Sequence, residues 1–300
     1  MRVKVPFARF SAAWAALALP TAAWAHVVEG LDGHSPWTAW STEAWLWALW
    51  GIPGVLVLLG IGRLWRRAGS GAGMRRWQAA SFLAGWIVLG LSVLSPLDAF
   101  GSQLFWVHMV QHEVMMLVAA PLLVASRPLG ALAWGLPAAW RPGAVRLAGR
   151  TGLQWTMHAL SQPFTAWWVH AVVLWGWHAP VLFQAALRNS WIHDLQHITF
   201  FVSALAFWWA LFASAPGRRQ KGVAVLYLFT TLLHTTVLGA LLTFSPRAWY
   251  PVYEASAPRW GLSAVEDQQL GGLIMWVPGG TVFLVAALVL CAGWLRDGPA

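Results

Sequence analysis

The sequence predicts an all-α protein, a bundle of seven membrane-spanning helices that follows an N-terminal signal peptide. Apolar residues make up 59% of the 300, and charged residues only 10%, whereas a soluble domain carries roughly 25% charged residues. Too few charges remain to cover a water-facing surface. Several separate apolar runs exceed the ~18 residues that mark a spanning helix, and arginine-rich loops punctuate them with a regular alternation.

The chain opens with Arg2, Lys4 and Arg9, then an apolar stretch from Phe10 to Pro20, then Ala23-Trp24-Ala25, a small-x-small cleavage pattern. A signal peptide over residues 1–25 is expected, with an uncleaved extra helix as the alternative. Cleavage there would leave His26 as the mature N-terminus, with His34 nearby. One domain, residues 26–300, then carries all seven spans. The first runs over about 44–62 and ends in a loop holding Arg63, Arg66, Arg67, Arg75 and Arg76. The second, 77–94, leads through Ser95-Pro96-Leu97-Asp98, a loop without a basic residue, into the third at 104–125. The connection 126–162 holds Arg127, Arg141, Arg146 and Arg150 with three prolines, and has room for a short amphipathic helix on the membrane surface. The fourth span, 163–180, and the fifth, 193–213, are separated by Arg188 alone. Arg218, Arg219 and Lys221 precede the sixth, 222–243. Arg247 and Arg259 lie with Glu254, Glu266 and Asp267 before the seventh, 271–295, which ends at Arg296.

These loops place thirteen Lys/Arg on one side and three on the other. Short loops rich in Lys and Arg stay in the cytoplasm, so the mature N-terminus is expected outside and the C-terminus inside. A bacterial plasma (inner) membrane protein follows, with the lipid bilayer as its solvent. The net charge of +9 does not indicate a nucleic-acid partner, because the charges cluster between apolar runs instead of forming a stripe on a soluble module. Cys291, the lone cysteine, rules out an intramolecular disulfide or a CxxC site.

Ionisable groups inside a span are costly and mark functional sites by default. His108 and His112 share one face of the third span, and His193 and His197 repeat that i,i+4 spacing at the start of the fifth. His178 ends the fourth span. His234 lies about 13 Å below the outer end of the sixth, at ~1.5 Å per residue. All six belong to the outer half of the membrane, and only His158 is clearly cytoplasmic. Two such pairs on different helices point to a metal or haem site, with a structural or proton-conducting histidine network as the rival. Imidazole suits copper, zinc, iron or nickel, and thioether favours Cu(I). Met109, Met115, Met116 and Met275 are candidates for the latter, and Glu113 and Asp267 for orienting imidazoles. Haem needs only one or two axial histidines, so the surplus favours a bare ion.

The same residues resemble the CtaG family of membrane-embedded cytochrome c oxidase assembly factors. The resemblance rests on His108-Met-Val-Gln-His112, Ala120-Pro-Leu-Leu, Trp177-His178-Ala-Pro, His193-Asp-Leu-Gln-His197 with Thr199-Phe200, and His234 with Gly239-Ala-Leu-Leu-Thr. Tyr250-Pro-Val-Tyr253 and the run from Glu266 to Met275-Trp complete it. Gln196 departs from the pattern, since relatives often look acidic there. The resemblance implies a non-enzymatic, chaperone-like role in maturing a haem–copper oxidase, with copper as the ion handled. The implied partners are a cytochrome c oxidase subunit and a periplasmic copper carrier. On that reading His108, His112, His193, His197 and His234 are the core ligands, His178 an auxiliary one at the mouth, and Asp267 and Met275 supports, all facing the periplasm. A haem-binding membrane redox protein and a copper or proton-coupled transporter are the alternatives.

Overall fold

The computed structural model describes residues 38–213 and 218–296. The expected signal peptide, His26 and His34 lie outside the described residues. Every described element is helical: α1 (Ala44–Ala68), α2 (Arg76–Leu94), α3 (Pro96–Gly101), α4 (Phe105–Ser126), α5 (Leu129–Gly135), α6 (Arg141–Ala148), α7 (Thr151–Ser161), α8 (Pro163–His178), α9 (Pro180–Arg188), α10 (Ser190–Ala213), α11 (Arg218–Thr243) and α12 (Ala264–Arg296). Two 3₁₀ turns, Pro251–Tyr253 and Ala257–Trp260, lie between α11 and α12.

Among the described residues six helices, α1, α2, α4, α10, α11 and α12, are long and apolar enough to cross a membrane. The seventh expected span is the difference. Pro180 forces Ala179 out of the helical region (ψ 128°), so the run expected over 163–180 stops at His178. Its 16 residues reach about 24 Å, short of the ~30 Å hydrocarbon core. The other expected spans match within a few residues, except that α1 continues six residues past 62 and takes Arg63, Arg66 and Arg67 into the helix, and that α12 starts at Ala264. There Ser263 and Glu266 form a capping box, with Ser263 Oγ accepting from Glu266 N and Glu266 Oε2 from Ser263 N. The 126–162 connection holds three short helices where one was expected.

Burial identifies the central helix. In α4, 61% of the most apolar stretch is buried, against 22% in α1 and in α12. On α1 the residues Ile52, Val55, Leu58 and Leu59 turn outward, where lipid is the only solvent that suits them. Two helices carry one wide π turn each, Val114–Ala119 in α4 and Met275–Gly279 in α12. In the first of these, the Met116 carbonyl accepts from Trp208 Nε1 of α10 at 2.9 Å. That contact sets α4 and α10 side by side and parallel, with 108–112 level with 193–197.

Small residues allow the closest helix contacts, as is usual where backbones meet in a membrane. On α1 and α5, Gly60 and Gly135 leave room only for the carbonyls of Ala131 and Leu56. Arg63 Nη1 then closes the end of α5 by donating to the carbonyls of Trp134, Gly135 and Leu136. On α11 and α12, a Cβ on Gly272 would lie 2.7 Å from the Gly239 carbonyl oxygen and from Thr243 N. Both are backbone atoms that cannot give way alone. Gly272→Ala is therefore expected to destabilise the bundle by about 1–3 kcal/mol, read as earlier thermal unfolding in detergent. Gly51→Ala, where a Cβ meets nothing within 4 Å, is the control and is expected to be neutral or slightly stabilising.

Candidate metal centre

The site is built at the N-terminal ends of the parallel helices α4 and α10. A helix start leaves backbone N–H groups without partners, and here side chains supply them. Both carboxylate oxygens of Asp267, from α12, accept from α4: Phe105 N at 2.8 Å and Trp106 N at 3.0 Å. At the start of α10, Asn189 Oδ1 accepts from Ile192 N. One helical turn further in, the two i,i+4 pairs face each other. Ring centroids are 4.3 Å apart for His108–His112, 4.2 Å for His193–His197, 5.1 Å for His112–His197 and 5.6 Å for His108–His193.

The nitrogens are what make this a site. Both ring nitrogens of His108 and of His112, and Nε2 of His197, are buried without a hydrogen-bond partner in the chain. An orphaned buried polar group costs about 1–3 kcal/mol, so a group of them without a ligand is expensive. One nitrogen from each of these three residues lies within 4.8 Å of the others. A first-row ion with bonds of ~2.0–2.1 Å to nitrogen would draw them together by roughly 1 Å. The set is neutral, nitrogen-only and buried, which suits copper or zinc far better than magnesium or calcium. A second set shares His197 and adds Asp98 and His193.

The walls are aromatic and amide. Phe183 packs on His108 at 5.1 Å and Phe200 on His112 at 4.6 Å. Gln196 is fully buried beside His108, and its amide atoms have no partner. Gly101 admits His108 closely, since a Cβ there would lie 3.3 Å from Nδ1. Over the cluster lies the α11–α12 connection, pinned by Gln268, whose Oε1 accepts from Trp249 N. Tyr250 stacks on Phe105 (4.8 Å), packs at a tilt against Phe183 (4.2 Å) and donates to the His178 carbonyl, while Tyr253 donates to the Gly101 carbonyl. Burial pushes both phenols above their ordinary range, and the Asp267 charge adds to this at Tyr253. Both therefore stay protonated and keep donating.

The other expected site residues are placed differently. His178 neighbours the cluster, and its Nδ1 lies 2.7 Å from the Leu174 carbonyl. A carbonyl can only accept, so Nδ1 carries the proton and the buried Nε2 lone pair is left available. His234, expected as a core ligand, stands apart. Its Nδ1 accepts from Trp175 Nε1 at 3.3 Å and its ring packs edge-on against Trp167. Its ligand lone pair is thus already engaged, and its neighbours are Trp167, Trp175 and His170. Asp267, expected as a support for the metal, is the cap of α4. Met275 opens the π turn of α12 and packs in the core, as do Met109, Met115 and Met116. Glu113, expected to orient an imidazole, turns instead toward Gly279 of α12. Asp98, read only as part of a base-free loop, is the member that the sequence did not single out. Its carboxylate is fixed by Gln111, whose Nε2 donates to Asp98 Oδ1 at 2.7 Å and to the Ser92 carbonyl at 2.8 Å.

The family model described as cytochrome c oxidase caa3 assembly factor (Caa3_CtaG) matches residues 55–297. Uncharacterized proteins of Mycobacterium bovis and Mycobacterium tuberculosis are each 28% identical over 281 residues, and one of Mycobacterium leprae is 27% identical over 275. Each alignment covers 87% of this chain but 40% of the relative, so the chain spans less than half the length of these curated relatives. No solved structure matches.

Proposed function

Because the chain belongs to the cytochrome c oxidase caa3 assembly factor family, we propose that it serves oxidase assembly by handling copper at the buried histidine cluster. The observation that carries this is the set His108, His112 and His197, whose orphaned nitrogens converge inside a membrane protein. Copper is cargo on this reading, received from a periplasmic carrier and passed to an oxidase subunit, and the chain itself catalyses no reaction. His178 and His193 flank the core ligands. Neutral imidazoles bind the ion without first losing a proton, and the Phe183 and Phe200 walls keep water from competing for it.

The proposed topology is seven crossings in a bacterial plasma membrane, with α8 as the short one and α9 completing its traverse. The bias of Lys and Arg toward alternate loops supports an external N-terminus, an internal C-terminus and a cluster that opens outward. The test is metal analysis of purified protein after copper loading and desalting. Wild type is expected to retain copper, and His108→Ala/His112→Ala to fall to background. In cells lacking the chain, oxidase is expected to accumulate with depleted copper, restored by wild type and not by the double variant. Equal, near-background copper in both proteins would overturn the reading, and a Soret band on purification would replace copper with haem.

A further inference from the structure

We infer that the cluster comprises two overlapping stations for one copper ion, hinged on His197, and that Asp98 and His193 form the outer station that loads the inner one. The inference rests on the copper reading of the inner cluster. Its basis is the overlap itself: His108, His112 and His197 form one set of converging ligand atoms, Asp98, His193 and His197 the other, and each set lies within 4.8 Å. The two sets differ in access. His108, His112 and His197 are 0%, 2% and 8% exposed, whereas Asp98 and His193 are half-buried. The outer set also carries the carboxylate of Asp98 at its more accessible edge. Negative charge in a low-dielectric cleft raises cation on-rates.

The ligand chemistry sets the direction of transfer. Carboxylate oxygen is a hard donor that suits Cu(I) poorly, and imidazole suits it better. An ion held by Asp98, His193 and His197 is therefore bound loosely and gains by moving to three imidazoles. In that step the bonds to Asp98 and His193 break as bonds to His108 and His112 form, while the His197 bond persists. No electron moves, since the ion only exchanges ligands. His108 and His193 rings lie 5.6 Å apart, so the ion is never released between stations. Gln111, fully buried, holds Asp98 at its post.

The test uses the full chain in detergent and Cu(I), delivered from a coloured Cu(I) chelator so that uptake is followed optically. Wild type is expected to bind a single equivalent. Asp98→Asn, which keeps the oxygen that Gln111 engages, and His193→Ala are expected to bind the same amount but load about tenfold more slowly. Asp98→Glu, which keeps the carboxylate, is expected to load at nearly the wild-type rate. Raising the salt concentration should slow wild type more than Asp98→Asn. Thermal unfolding of each variant shows that its fold is kept. Two equivalents in wild type, or loading of both outer variants at the wild-type rate, would overturn the two-station inference and leave the copper reading intact. Wild type that takes no copper would overturn both.

Discussion

His197→Ala is expected to strip the protein of copper more completely than any other single substitution. The residue belongs to both converging ligand sets, so its loss disables the buried triad and the half-buried one together. Removing a mere supporting partner of a metal ligand costs about 10- to 100-fold in affinity, and removing a shared ligand should cost more. The measurement is a competition titration with a Cu(I) chelator, paired with oxidase copper content in cells carrying the variant. His234→Ala is the informative contrast. The sequence grouped it with the cluster, but its Nδ1 is occupied by Trp175 Nε1, so copper affinity should stay at the wild-type level. If His197→Ala kept its copper, or His234→Ala lost it, the site would have to be sought around Trp167 and His170 instead.

Asp267→Ala is expected to have the largest effect on stability. The side chain is fully buried, and each of its oxygens takes a backbone N–H at the start of the central helix. A hydrogen bond to a charged group contributes about 1.5–3 kcal/mol, so losing two should cost roughly 3 kcal/mol or more. Asp267→Asn keeps one acceptor, and about half that loss is expected. Thermal unfolding in detergent measures both. Copper retention should fall alongside stability, because His108 sits less than one turn beyond the capped residues. A ligand role predicts another pattern: copper lost with the melting temperature unchanged. That outcome would restore Asp267 to the metal site.

The apolar runs made the long helices legible because a stretch without charge has nowhere else to go; the third span was expected at 104–125 and runs Phe105–Ser126. Errors arose where local chemistry overrode composition. Pro180 ends α8 inside an unbroken apolar run, and the Ser263–Glu266 capping box starts α12 in a polar stretch that hydropathy discards. In the site, the i,i+4 pairs were legible because that spacing fixes two side chains on one face whatever surrounds them. Rotation about the helix axis was not, and for that reason His234 was grouped with residues it does not approach. Asp98 was hidden for a related reason: it lies in a short helix, and its carboxylate is held by Gln111 of the next long helix, whose amide is itself tied to the Ser92 carbonyl.

The π turn of α4 gives this helix an unusual tolerance for changes in length. A π turn holds one residue more than the α turn it replaces, so Val114–Ala119 amounts to an insertion folded into the helix without breaking it. The half before it, including His108 and His112, packs mainly on α12 and α3, with Asp267 at its first turn, and the half after it packs on α2 and α10, where Ser81 donates to the Leu122 carbonyl. Deleting the half-exposed Val118 would turn one half against the other by about 100°. The helix would become regular and the chain one residue shorter, yet the histidine pair would be set against one neighbour only by misaligning the other half. Relatives aligned across this segment should therefore conserve its length even where they exchange its residues.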